Sequence, residues 1–271
     1  MGWKVLEKFF AKNLVFTYEE FVAFLNSEGT RSRKTREMHL RYFVKKGRIM
    51  RVRRGLYCVV PPDVDPVDCP VDAFLLTSKM TDDAVLAYHT ALEFHGAAYS
   101  LHNRFLYLTA RRPRQIEFRE YHFRGVLFPK ILRDVKKETF NVKTAERAGL
   151  DVKVTNLERT LVDVLDRPYL GGGWEEIWRS LEMVEFFNLD QVVEYALLLK
   201  NATTVAKVGF FLEQHQEPLM VDEVYLERLR EQRPRKPLYM ERGDRKAGHF
   251  VPDWNLVVPD SVFRRSWVEL V

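Results

Sequence analysis

Eleven lysines and arginines lie between positions 31 and 54 of this 271-residue chain: Arg31, Arg33, Lys34, Arg36, Arg41, Lys45, Lys46, Arg48, Arg51, Arg53 and Arg54. Glu37 is the one acid among them, so the segment carries +10 while the whole chain carries +5 and the remainder −5. Each cation that neutralises a phosphate releases condensed counterions, so a cluster this one-sided is suited to binding a polyanion. A solvated face usually mixes its signs. Double-stranded DNA is the expected partner. RNA fits less well, because an A-form major groove excludes a helix and no stacked aromatic platform is visible.

The elements around the cluster say how it is displayed. Trp3, Leu6, Phe9 and Phe10 recur at helical spacing. Thr17 and Glu20 form a capping box that starts a second helix, with Phe21, Phe24 and Leu25 on its apolar face. Gly29 ends it, and Thr30 or Ser32 caps a third helix running to about Lys46, with Leu40, Phe43 and Val44 as the buried stripe. Lys34, Thr35, Met38, Arg41, Tyr42 and Lys45 then share the open face. Residues 48–60 read as a hairpin around Arg54-Gly55. Three helices followed by a basic hairpin make a winged helix-turn-helix, whose third helix enters the major groove. Arg33, Lys34, Thr35 and Arg36 are the candidates for base edges, and Arg51, Arg53 and Arg54 for backbone or minor-groove contact. Arg31, Arg41, Tyr42, Lys45, Lys46 and Arg48 complete the expected DNA-binding set.

At about 150 residues per domain, two domains are expected. The 46% hydrophobic content suffices for two cores. Pro61, Pro62, Pro66 and Pro70 alternate with Asp63, Asp65, Asp68 and Asp72, a composition that reads as a linker. The expected division is residues 1–60, 61–72 and 73–271. Beyond the linker, helices are expected at 73–78 and 88–95, and strand patterns at 106–109, 118–124, 138–142 and 152–154. From Thr155, a capping box with Glu158 opens a helical region through Leu161, Val164, Trp178, Val193 (on a helix capped by Asp190) and Leu212. Strands first and helices afterwards indicate an α+β fold, with a small sheet followed by a helical region.

Other chemistry finds little support in the sequence. His89 and His95 are not an i, i+4 pair, and no carboxylate completes a zinc set with His102. Gly171-Gly172-Gly173 lacks the spaced glycine and following Lys-Ser/Thr of a phosphate loop and reads as a helix cap or hinge. Asp163 and Asp166 read as solvated charges. Pro252-Asp253 with Glu269 is only a faint nuclease pattern, since no lysine follows. Neither catalysis nor a cofactor is expected. Cys58 and Cys69 form no framework, there is no apolar run of about 18 residues and the N-terminus is no signal peptide, so reduced thiols in a cytoplasmic protein without membrane contact are expected.

The chain resembles the AbiEi antitoxin family. The matching stretches are Arg54-Gly55-Leu56-Tyr57, Thr90-Ala91-Leu92-Glu93-Phe94-His95-Gly96, Thr155-Asn156-Leu157-Glu158-Arg159-Thr160-Leu161-Val162-Asp163, Gly209-Phe210-Phe211-Leu212-Glu213 and Trp254-Asn255-Leu256-Val257-Val258-Pro259. The third is the most specific. Ala97 departs from the family's leucine after His-Gly. The resemblance implies a winged-helix autorepressor of its own operon, and a second domain that counteracts a nucleotidyltransferase-like toxin. The basic stretch Arg228, Arg230, Arg233, Arg235, Lys236, Arg242, Arg245 and Lys246 is the candidate partner surface. A stand-alone regulator with a ligand-sensing second domain and a DNA-targeted metal-dependent nuclease are the alternatives.

Overall fold

The computed structural model describes residues 3–29, 32–241 and 248–267. The chain is α+β, an N-terminal winged helix-turn-helix followed by a larger α+β region. The N-terminal unit runs α1 (Trp3–Lys12), β1 (Val15–Thr17), α2 (Tyr18–Ser27), α3 (Arg33–Lys45), β2 (Ile49–Arg53) and β3 (Leu56–Val59). The capping box forms as expected: Glu20 N donates to Thr17 Oγ1 at 3.2 Å and Thr17 N to Glu20 Oε2 at 2.7 Å. Ser32 caps α3, and Thr30 lies outside the described residues. Leu6, Phe9, Phe10, Phe16, Phe21, Leu25, Leu40 and Phe43 close the core of this unit, with edge-on ring pairs such as Phe10–Phe43 at 4.9 Å. Val44 is exposed, contrary to its place in the expected stripe, because it faces a groove beside the wing. The three strands order β1-β3-β2, antiparallel throughout.

The second region begins with α4 (Ala73–Ser78), β4 (Val85–Leu86), α5 (His89–Phe94), β5 (Arg104–Thr109), β6 (Gln115–Phe118), β7 (Tyr121–Leu127), α6 (Lys130–Asp134), β8 (Val142–Arg147) and β9 (Leu150–Thr155). These strands make a six-stranded mixed sheet, order β6-β7-β5-β4-β9-β8, with β5·β7 and β4·β9 parallel. Residues 118–124 contain a tight turn between β6 and β7, and 138–141 are turn, so both strand expectations there shift. Then come α7 (Leu157–Asp166), α8 (Trp174–Glu182), α9 (Leu189–Leu198), α10 (Ala202–Gln214) and α11 (Glu223–Arg230). A small sheet of β10 (Leu238–Tyr239), β11 (Gly248–Val251) and β12 (Leu256–Pro259) precedes α12 (Asp260–Arg264). Gly209 is required on α10: a Cβ there would sit 2.1 Å from the fully buried Trp254 ring, whose Nε1 donates to Glu213 Oε2 at 2.8 Å.

The wing is not free-standing. Val15, Val52, Leu56 and Cys58 belong to one apolar cluster with Ala73, Leu75, Leu76, Met80, Leu86, Phe105 and Tyr107 of the second region. Arg53 Nη2 donates to Met80 O at 2.7 Å and Lys79 O at 3.4 Å, and Lys79 pairs with Glu20. The connecting residues 61–72 lack regular structure yet are held in place. Pro66 presses on Gly47, Arg119 donates to Pro66 O and Cys69 O, and Asp72 caps α4 while pairing with Arg147 at 2.7 Å. Burial pushes the Cys58 thiol up to about 12, so it stays protonated and weakly nucleophilic.

Candidate nucleic-acid interface

Helix α3 and the wing flank a groove of about 1000 Å³. Arg33, Arg36, Arg41 and Lys45 line it from the helix, and Arg51 and Arg54 from the hairpin. All but the half-buried Arg36 are exposed. Lys34, Tyr42 and Lys46 are exposed too, on other parts of the helix surface, with Lys46 Nζ 6.0 Å from the Tyr42 ring. Thr35 is half-buried, its amide donating to the Ser32 cap. Arg33 Nε pairs with Glu37 at 2.9 Å, an i, i+4 surface pair weak enough to exchange for phosphate. Arg36 is held by Asn26 of α2. Arg31 lies outside the described residues.

Two of the expected DNA contacts turn inward. Arg48 donates to Glu7 at 2.7 Å and to Val60 O, with its guanidinium 5.7 Å from the Phe10 ring. It ties the start of β2 to α1. Arg53 spends its guanidinium on the carbonyls of Arg54, Lys79 and Met80. A β-bulge between Arg51 and Arg53 sets this orientation, leaving Arg51 and Arg54 toward the groove.

The basic stretch of the second region divides in the same way. Arg230 bridges Glu213 (2.7 Å) and Glu223, 5.3 Å from the Trp254 ring, and Arg233 donates to Asp253 O at 2.8 Å. Arg228, Arg235 and Lys236 are exposed, Arg228 lying 3.6 Å from Asp190. Arg242, Arg245 and Lys246 lie outside the described residues, as does Glu269 of the nuclease pattern.

The block from Thr155 to Asp163 is an internal brace. Asn156, not Thr155, caps α7, accepting from Arg159 N at 2.9 Å; likewise Asn188 rather than Asp190 caps α9. Asp163 is buried, not solvated: it accepts from Arg159 Nε at 3.2 Å and from Tyr195 Oη at 2.7 Å. Arg159, fully buried, also donates to Glu138 O at 2.8 Å and Phe140 O at 2.6 Å, tying α7 to the loop before β8.

Carboxylates do join the histidines, contrary to expectation. His89 Nε2 lies 3.0 Å from Glu176 Oε1, its Nδ1 2.9 Å from Glu93 Oε1, and its ring stacks on His102 at 3.8 Å and 7°. Imidazole lone pairs lie in the ring plane, so parallel rings do not aim two nitrogens at one ion about 2 Å from each. The group reads as a hydrogen-bonded network, with Ser100 donating to Glu176 at 2.6 Å and His102 N to Glu93 at 2.9 Å.

Several partly buried titratable groups of the second region, His102 and Glu176 in this network and His95 and Glu182 outside it, give stability a pH signature. Burial holds His95 and His102 below the usual imidazole value; His102 is lowered further by His89. Burial opposes ionisation of Glu176 and Glu182, but hydrogen bonds from Ser100 and His89 to the first, and from His215 and Arg265 to the second, carry both below the usual carboxylate value. In all four cases the unfolded chain binds more protons than the folded one, so stability rises with pH. Denaturant midpoints should therefore fall as pH drops through 6.5, the unfolded histidine value, and fall again below 4.5, the unfolded glutamate value. A midpoint that is flat across both steps would remove the assignment.

Residues 4–60 match the family model described as a transcriptional regulator, AbiEi antitoxin. The N-terminal unit is thus similar to AbiEi-type regulators over those residues. The crystal structure of the RV2827C protein from Mycobacterium tuberculosis is similar over 98% of this chain and 94% of that one, with a TM-score of 0.63 at 15% identity, a likeness of fold. A search of curated proteins returns no match. Within the matched residues, the groove between α3 and the wing brings together Arg33, Arg36, Arg41, Lys45, Arg51 and Arg54 of the basic segment, with Glu19 and Glu37 as the acids in its lining. Among the described residues, no helix is long and apolar enough to cross a membrane.

Proposed function

We propose that the chain is a cytoplasmic, non-enzymatic repressor that binds operator DNA and counteracts a cognate nucleotidyltransferase-like toxin. Residues 1–60 serve as the DNA-binding unit, 61–72 as connector and 73–271 as the antitoxin part. The observation that carries the reading is the groove in which six cations from α3 and the wing face one space, in a domain matching AbiEi regulators. In this reading Arg33 and Lys34, at the start of α3, contact base edges, and Arg51 and Arg54, which line the groove with Arg33, hold the backbone. Among the described residues of the second basic stretch, Arg228, Arg235 and Lys236 are the exposed cations, and in this reading they meet the toxin.

Changing Arg51 and Arg54 to Ala should weaken binding to operator and random duplex alike, and lower the salt slope by about one per lost phosphate contact. Changing Arg33 or Lys34 should instead cost about 1–3 kcal/mol of operator discrimination where a bidentate base contact is lost. Equal losses on both DNAs for every variant would end this division. With the toxin induced from a separate promoter, the Arg51/Arg54 variant should lose repression but still protect growth. Charge reversal at Arg228, Arg235 and Lys236 should reduce protection while repression stays. Full protection by that second variant would remove those residues from the toxin contact.

A further inference from the structure

Helix α3 presents apolar surface as well as charge. The exposed large apolar side chains among the described residues of the N-terminal unit are Leu14, Met38, Tyr42 and Val44, and three of these four lie on α3. Met38 is the most open of them, at 59%. Leu40 and Phe43 are the residues that α3 buries. At about 100° per residue, the line directly opposite that buried stripe falls between Lys45 and Met38, within about 10° of each. Lys34, Arg41 and Tyr42 lie about 30–50° to one side or the other of it. All five residues are exposed.

This outward face differs in chemistry from the groove beside the wing, whose lining takes Arg33, Arg36, Arg41 and Lys45 from α3 but not Met38. A single exposed methionine on a protein surface is ordinary. At the middle of a helix face bordered by Lys34, Arg41 and Lys45 it has a specific use. Lysine and arginine bind phosphates or the acceptors of guanine, whereas thymine alone of the four bases presents an apolar group, its C5-methyl, in the major groove. The unbranched, polarisable side chain of methionine adapts its shape to such a group. Tyr42, one turn further on, extends the apolar surface, its ring 5.5 Å from Phe43 and 6.0 Å from Lys46 Nζ.

We propose that Met38 is a specificity-determining residue, its side chain packing against the C5-methyl group of a thymine while Lys34, Arg41 and Lys45 hold the helix to the duplex. This role rests on the DNA-binding reading of the N-terminal unit and adds to it an apolar base contact. Preferred target sites then carry thymine at a fixed position. To find it, duplexes are selected from a randomised pool by the full chain, and each thymine of a selected site is replaced in turn by uracil. Uracil lacks the methyl group and keeps the pairing and the O4 acceptor, so the substitution isolates the apolar contact.

One thymine should prove sensitive, its replacement weakening binding about fourfold, the effect of burying one methyl group. Met38→Ala, at an exposed position where alanine favours the helix, should bind the thymine and uracil duplexes equally. Met38→Leu, which keeps an apolar side chain of similar size, should restore the difference. The salt dependence should be equally steep for all three proteins, because no phosphate contact has changed. Any of three results would overturn the proposal: selected sites that share no thymine, shared thymines that all tolerate uracil, or a uracil effect that survives Met38→Ala undiminished. If one of these is found while binding to duplex stays steeply salt-dependent, the thymine contact fails and the DNA-binding reading stands. A chain that binds no duplex from the pool loses both.

Discussion

Raising salt from about 50 to 200 mM should cost the full chain roughly a thousandfold or more in affinity for duplex DNA, if six phosphates are neutralised. The number follows from the groove, which presents Arg33, Arg36, Arg41, Lys45, Arg51 and Arg54 together. With a slope near −0.9 per phosphate, a fourfold change in salt gives a little over three decades. Internal pairing reduces the count only where it is strong. The Arg33–Glu37 pair is exposed on both sides and gives way easily, whereas Arg48 and Arg53 are committed to Glu7 and to the carbonyls at 79 and 80. The slope should therefore be set by the groove cations, with Lys34 and Lys46 adding to it where the duplex reaches them. A nearly flat titration would refute the electrostatic interface.

Removing Arg159 should be the most damaging single change in the second region. Arg159→Ala leaves Asp163 buried with the Tyr195 hydroxyl as its remaining partner, and strips the carbonyls of Glu138 and Phe140 of a donor. Breaking a buried pair in this way costs about 3–5 kcal/mol. Asp163→Asn should cost less, since the amide oxygen still accepts from Tyr195 or Arg159. Equilibrium urea unfolding of the full chain reads both. An Arg159→Ala loss below about 1 kcal/mol would mean the brace is dispensable, since that is the range of an exposed pair.

What the sequence could tell follows how local each signal is. The Thr17–Glu20 box, the Ser32 cap and the open face of α3 depend on neighbours within one or two turns; the box and the cap stand in the structure, and the open face stands except at the half-buried Thr35. Val44 misled because it is apolar at core spacing, but the wing leaves an open groove on its side of α3. Thr155 misled for a tertiary reason: its backbone pairs with Val142 in the sheet, so the strand runs one residue further and Asn156 takes the cap. The Arg159–Asp163 spacing was readable as a helical pair, yet not as a buried one, because its burial comes from Tyr195, 32 residues beyond Asp163. The same holds for His89 with Glu176. No short window contains such partners.

The shared apolar cluster under the wing bears on how such a chain can diversify. A DNA-reading head joined by a slack tether can be exchanged whole, like a cassette, to acquire a new target. Here Val15, Val52, Leu56 and Cys58 are packed with Leu76, Met80 and Leu86, and Arg53 is bonded to the backbone at 79 and 80. A transplanted head must bring an underside that fits this seat, so recombination between relatives is confined to donors with matching undersides. Change in target preference has its freest route through point substitution on the outward surface of α3, which this seat does not touch.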